Sequence, residues 1–143
     1  MNHQFCTFRL DRLLFGVPVL QVQEVIRPQQ MTRVPLAPPA VRGLINLRGQ
    51  IVTAVDLRQR LELPAAERET DAMNVVVRTA DGAVSFLVDE VGEVVEVADD
   101  DRETPPETLR GAARELTRGV FKLRSELLLV LDSEQAAVVA ADN

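Results

Sequence analysis

The chain repeats itself. Displaced by 76 positions, residues 42–56 fall on residues 118–132 without a gap, and five positions are identical: Arg42 and Arg118, Gly43 and Gly119, Leu47 and Leu123, Arg48 and Arg124, Asp56 and Asp132. Ordinary composition gives roughly one identity by chance over such a window, and most of the other positions set apolar against apolar. A shorter echo lies upstream, where Val22-Gln23-Glu24-Val25-Ile26 matches Val91-Gly92-Glu93-Val94-Val95 at a displacement of 69. The two segments keep the same order in each half, so the 143 residues read as a tandem duplication of a unit of about seventy. A unit that short buries too little surface to be robust alone, and the two copies are expected to pack on one another.

The displacements differ by seven, which places an insertion within residues 98–117 of the second copy. It holds Asp99-Asp100-Asp101, Glu103, Pro105 and Pro106. A charge run with prolines reads as a solvated loop; a docking loop for a basic partner is the sharper alternative. Residues 64–71, charged and without apolar period, read as the linker between a first copy at 1–63 and a second at 72–143.

Within each copy the apolar residues are β-branched or leucine, in short runs bounded by turn formers, which is the pattern of strands. Residues 5–10 pair with 13–17 across Asp11-Arg12, and 73–79 with 83–88 across Asp81-Gly82. Residues 44–47 and 51–57 form another hairpin in which Gly49 supplies a positive φ, and 120–123 pair with 127–131 across Ser125-Glu126. Pro35, Pro38 and Pro39 mark an irregular connection. Helix-tolerant stretches follow each closing aspartate, which makes Asp56 and Asp132 candidate N-caps, and residues 109–116 add a turn of helix. The expected class is an all-β-dominated protein of two small barrels or curled sheets, with short helices and a valine- and leucine-rich interface between them.

Composition serves mainly to exclude. Aromatics are 3% of the chain, with no Trp or Tyr, and the formal net charge is −6, so the surface repels a phosphate backbone and an anionic membrane. A small-barrel nucleic-acid-binding protein, the distant alternative, needs a basic groove and stacking aromatics. One Cys and one His rule out an internal disulfide and a zinc site built from Cys and His alone. No basic segment with an apolar stretch opens the sequence, and the apolar run 127–131 is far too short to span a bilayer; the expected location is cytoplasmic, without membrane insertion. No nucleophile elbow, phosphate loop, dinucleotide fingerprint or His-Glu-x-x-His occurs, so the chain reads as a non-enzyme without metal or cofactor. Asp89-Glu90 and Glu93 are acidic neighbours that suggest an acid/base pair or half of a metal site, but adjacent strand residues point to opposite faces.

Two readings remain for the repeated charges. Arg48 either closes its hairpin or pairs with a carboxylate, on the structural account, or projects its planar fork toward a partner's carboxylates or backbone carbonyls. Glu24, alone among Val22, Val25 and Ile26, is either an edge-strand charge that blocks unwanted pairing or an interface anchor.

The motif series resembles the CheW family of chemotaxis coupling (adaptor) proteins. The likeness covers nearly the whole chain: Phe5-Cys6-Thr7-Phe8-Arg9-Leu10 leading to Phe15-Gly16-Val17-Pro18, Val22-Gln23-Glu24-Val25, the core Arg42-Gly43-Leu44-Ile45-Asn46-Leu47-Arg48-Gly49 with Val55-Asp56-Leu57, Val88-Asp89-Glu90-Val91-Gly92-Glu93-Val94, and Gly119-Val120-Phe121-Lys122-Leu123 with Leu131-Asp132. The resemblance implies two intertwined SH3-like five-stranded barrels and a non-catalytic scaffold that links the cytoplasmic tips of chemoreceptors to a CheA-type histidine kinase, through a kinase regulatory domain of the same fold. It implies receptor contacts at Val22, Glu24, Val25 and Arg48, completed by Val91 from the second copy, and small residues at Gly43 and Gly49 in a partner-interface hairpin. It also implies a protein monomeric when free and recruited to membrane-associated arrays. Thr53-Ala54 stands where the family usually has a proline, and residues 136–143 lack a leucine-rich helix ending. A paralogue serving pili or surface sensing is therefore the alternative reading.

Overall fold

The computed structural model describes residues 1–65 and 72–139. In chain order the elements are β1 (Asn2–Leu10), β2 (Leu13–Pro18), β3 (Val22–Ile26), β4 (Val41–Leu47), β5 (Gln50–Asp56), α1 (Leu57–Arg60), β6 (Met73–Thr79), β7 (Gly82–Val88), β8 (Glu90–Ala98), β9 (Arg102–Glu103), α2 (Gly111–Glu115), β10 (Thr117–Lys122), β11 (Leu127–Leu131) and α3 (Ser133–Ala136). Most of the linker expected at 64–71 lies outside the described residues, as do the last four of the C-terminal segment.

All four expected hairpins form. Two turns sit one residue earlier than the sequence suggests: Thr79 pairs with Gly82, so the β6–β7 turn is Ala80-Asp81, and the Leu123 N–H donates to the Glu126 carbonyl at 2.8 Å, so the β10–β11 turn is Arg124-Ser125. Leu57 is not the end of a strand but the first residue of α1.

Six strands form one sheet in the order β8-β1-β2-β11-β10-β9, and five form the other in the order β3-β6-β7-β5-β4. Under the internal repeat, β1, β2, β3, β4 and β5 correspond to β6, β7, β8, β10 and β11, so the two orders match strand for strand except for β9, which is added at the edge of the first sheet. Neither sheet is built from one copy. The β1–β2 hairpin of the first copy lies in the sheet of β8, β10 and β11, and the β6–β7 hairpin of the second lies with β3, β4 and β5. Each exchange is sealed by a parallel pair, β2 with β11 and β5 with β7. The result is two intertwined SH3-like barrels.

Irregularities are duplicated with the strands. The β4–β5 ladder is bulged between Val41 and Gly43, and the β10–β11 ladder between Thr117 and Gly119, so Arg42 and Arg118 are both bulge residues. The β3–β6 and β8–β1 pairings slip at equivalent places too. A bulge bends its strand and sharpens the twist, which a barrel this small needs to close.

Strand alternation sorts the apolar residues into three layers. Phe5, Leu14, Val97, Phe121, Leu128 and Val130 fill the six-stranded barrel, and Ile45, Leu47, Val52, Ala54, Val76 and Leu87 fill the five-stranded one. The opposite faces of the same strands, including Phe8, Phe15, Val17, Val55, Val75, Val77, Phe86, Leu129 and Leu131, meet between the barrels with Leu57, Leu61 and Leu116. The interface is rich in valine and leucine, with three phenylalanines at its centre. Because the central strands bury both faces, they read as continuous apolar runs such as Leu127–Leu131.

The insertion carries more structure than a plain loop. Asp99–Asp101 form a 3-10 turn whose Asp101 carboxylate accepts from the Ala98 N–H at 2.9 Å, β9 adds a short strand to β10, and α2 covers the core with Ala112 and Ala113. Asp99, Asp100, Glu103 and Glu107 remain exposed.

Candidate partner-binding surface

The β4–β5 turn is set by its own sequence. Leu47 pairs with Gln50, leaving a two-residue turn in which Arg48 and Gly49 have φ of 51° and 92°. Turns with two positive φ values match the right-handed twist of a hairpin, and glycine takes the second position without strain. The Asn46 side-chain carbonyl accepts from the Gly49 N–H at 2.8 Å and pins the loop. In the second repeat Ser125 replaces this glycine, and neither Arg124 nor Ser125 adopts a positive φ.

Arg48 and Glu24, placed together only by the resemblance, are direct neighbours. The Arg48 guanidinium donates to the Glu24 carboxylate across the seam where β3 and β4, the two edges of the five-stranded sheet, come together. The arginine side chain is 75% exposed and the glutamate 20%, so Glu24 anchors the pair while the remaining guanidinium N–H donors face solvent. Of the sequence readings of Arg48, the pairing with a carboxylate is the one observed. It also presents unused donors.

The seam is completed by the segment after β3, whose Thr32 exchanges backbone hydrogen bonds with Leu44 at 2.8 and 2.9 Å. Gly43 makes that crossing possible, since a Cβ there would lie 2.7 Å from the Thr32 carbonyl oxygen. Gly49 has nothing within 4 Å of a built Cβ, so its requirement is conformational, not steric.

Val25 is exposed beside Glu24, whereas Val22 turns inward and packs against the central cluster. Val91, the repeat counterpart of Val22, packs against the same cluster from β8 in the other sheet. Glu24 and Arg48 thus form one surface pair; Val25, the next residue of β3, lies on the other face of that strand with its partner Val75, and Val22 and Val91 pack in the layer between the barrels. Ile51, 60% exposed, pairs with Asn46 on β5 next to the turn. Sequence reasoning passed over Ile51 because it reads as one more apolar strand residue; its place outside the turn, opposite a polar Asn, was the available signal.

The closing aspartates stand at helix N-termini. Asp56 accepts from the Gln59 N–H at 3.3 Å and Asp132 from the Gln135 N–H at 3.1 Å. Asp56 also receives the Arg42 guanidinium at 2.6 Å. The acidic neighbours that suggested chemistry do not converge: Asp89 sits at the corner between β7 and β8, held by Arg58 at 2.9 and 2.5 Å and by the Asp11 N–H at 2.8 Å. Burial pushes its carboxyl up, but the Arg58 hydrogen bonds, the Asp11 N–H and the Arg58 charge together outweigh burial and hold it below the ordinary carboxylate value. Among the described residues no group of three or more His, Cys, Asp or Glu is placed to hold a metal, and no helix is long and apolar enough to cross a membrane.

The CheW-like domain model matches residues 4–139. The chain is 32% identical over 132 residues to the chemotaxis protein CheW of Helicobacter pylori, covering 92% of this chain and 79% of that protein. It is 31% identical over 132 residues to the chemotaxis protein CheW of Bacillus subtilis, covering 92% and 85%. The crystal structure of the scaffolding protein TtCheW from Thermoanaerobacter tengcongensis superposes with a TM-score of 0.86 at 25% identity, covering 99% of this chain and 97% of that one. With the domain matched almost from end to end and the interlocked barrels shared, the chain belongs to the CheW family of chemotaxis scaffold proteins.

Proposed function

We propose that this protein couples the cytoplasmic tips of chemoreceptors to a CheA-type histidine kinase, acting by geometry and not by catalysis. The observation that carries the reading is the Glu24–Arg48 pair: an exposed guanidinium with unspent donors, fixed by a carboxylate, on a hairpin and strand that also carry the exposed apolar residues Ile51 and Val25. Polar anchors bordering apolar contacts are what a helical receptor tip requires of a docking surface. In this reading Val22, Glu24, Val25, Arg48 and Val91 belong to the receptor side, and Gly43 and Gly49 keep the partner-interface hairpin in shape. The copies 1–63 and 72–143 work as one unit, a reading supported by the exchange of hairpins between sheets. A rigid body between two partners lets a change at one bias the other. The free protein is monomeric and cytoplasmic, and joins the membrane through its receptors. The test is co-purification of a receptor tip fragment with the wild type and with Arg48→Ala: retention by the wild type and loss by the variant is the expected result, and equal retention by both removes the pair from the receptor contact.

A further inference from the structure

The two repeats diverge at the arginine of the bulge. In the first, Asp56 neutralises Arg42 at 2.6 Å and the backbone at Thr32 crosses Gly43. In the second, Arg118 keeps the bulge position and Asp132 keeps the cap, yet no ion pair involves Arg118 among the described residues. The crossing at Gly119 is made by a side chain: a Cβ there would lie 3.2 Å from Nη1 of Arg102.

Arg102 and Arg118 border an open cleft of about 230 Å³ on the six-stranded barrel. Its floor is Phe5 and Phe121, only 5% and 2% exposed, with ring centroids 5.7 Å apart. His3 stands beside both rings, and the Arg102 guanidinium lies 4.8 Å from the Phe121 centroid. No carboxylate lines the cleft; Asp99, which holds His3 Nε2 at 2.7 Å, is off its wall. In a chain of net charge −6, a concavity lined by two guanidiniums and no acid is a local reversal of sign. A cation-π contact accounts for Arg102 as a cover over Phe121, but it leaves Arg118 unexplained.

We propose that this cleft binds a small organic anion: a carboxylate or phosphate group carried on a flat apolar body. The guanidiniums of Arg102 and Arg118 clamp the anionic oxygens, and the body lies against the aromatic floor. Paired guanidiniums suit this task because their planar forks match carboxylate and phosphate geometry.

The experiment is a titration of the full chain, followed by backbone amide shifts and the His3 ring signals, with phenyl phosphate, benzoate and inorganic phosphate as probes. The expected result is saturable movement confined to His3, Gly119, Phe121 and their neighbours with the two aromatic anions, and weaker binding of inorganic phosphate. Arg118→Ala is expected to weaken binding roughly ten-fold, as loss of a charge-assisted hydrogen bond does. Arg124→Ala removes the same charge from a distant exposed turn and is expected to leave binding unchanged. Preference for phenyl phosphate over benzoate, or the reverse, identifies which anion the clamp selects. Absence of saturation, or equal weakening in both variants, overturns the site. Inorganic phosphate binding as tightly as phenyl phosphate overturns the role of the aromatic floor.

Discussion

Arg58, in the first helix of the first repeat, and Asp89, at a strand corner of the second, are joined by two hydrogen bonds of 2.9 and 2.5 Å. The same carboxylate accepts the Asp11 N–H, so one side chain ties the β1–β2 turn, α1 and the β7–β8 corner together. With the side chains 16% and 28% exposed, this is a half-buried pair whose breakage leaves a guanidinium short of its partner. Asp89→Ala is expected to cost about 2 kcal/mol in urea unfolding.

The pair also sets an acid limb. The Asp89 carboxyl titrates below its ordinary value of 3.8 in the folded protein, so its contribution is fully present above that pH and is lost as pH falls through the lowered value. Stability measured from pH 6 down to pH 2 should fall less steeply in Asp89→Asn than in the wild type. Equal slopes would show that the pair contributes nothing to acid sensitivity.

Glycines of the repeat should respond unequally to alanine. Gly43→Ala drives a Cβ to 2.7 Å from the Thr32 carbonyl oxygen, a backbone atom that cannot step aside cheaply, and is expected to destabilise by about 2 kcal/mol. Gly119→Ala meets only the mobile end of Arg102 at 3.2 Å and should be close to neutral. Gly49→Ala meets no atom but must hold φ of 92°, at a cost of about 1 kcal/mol. Thermal melts of the three variants check this order.

Phe86, fully buried between the barrels on β7, belongs to the layer that makes two sheets one molecule. Phe86→Ala should cost about 4 kcal/mol and lower a single cooperative transition. Two separated transitions would mean that the barrels melt independently.

Much of this was legible in the sequence, and the unread part has a physical reason. The repeat foretold two like units, and the displacement of the short echo foretold the second copy's extra segment. It could not foretell the exchange of hairpins, because a repeat states which strands are alike, not which strand lies beside which. The turn at Ala80-Asp81 was placed one residue late because Asp-Gly is a strong turn signal, yet Gly82 serves as the first residue of β7. Glu24 and Arg48 were read from the residues as separate charges because the seam that joins them depends on a barrel closing between two non-adjacent edge strands. The cleft under Arg102 and Arg118 was hidden for the same reason: His3, Phe5, Arg102 and Phe121 come from three strands far apart in the chain.

Coupling is tested most directly by mixing the full chain with a CheA-type regulatory domain and a receptor tip fragment and measuring the masses of the complexes by sedimentation. A ternary species is the predicted result, with Arg48→Ala leaving the melting temperature within a few degrees, as befits an exposed ion pair, and depleting the receptor from the complex. Failure to bind either partner, or displacement of one partner by the other, would contradict a scaffold that holds both at once.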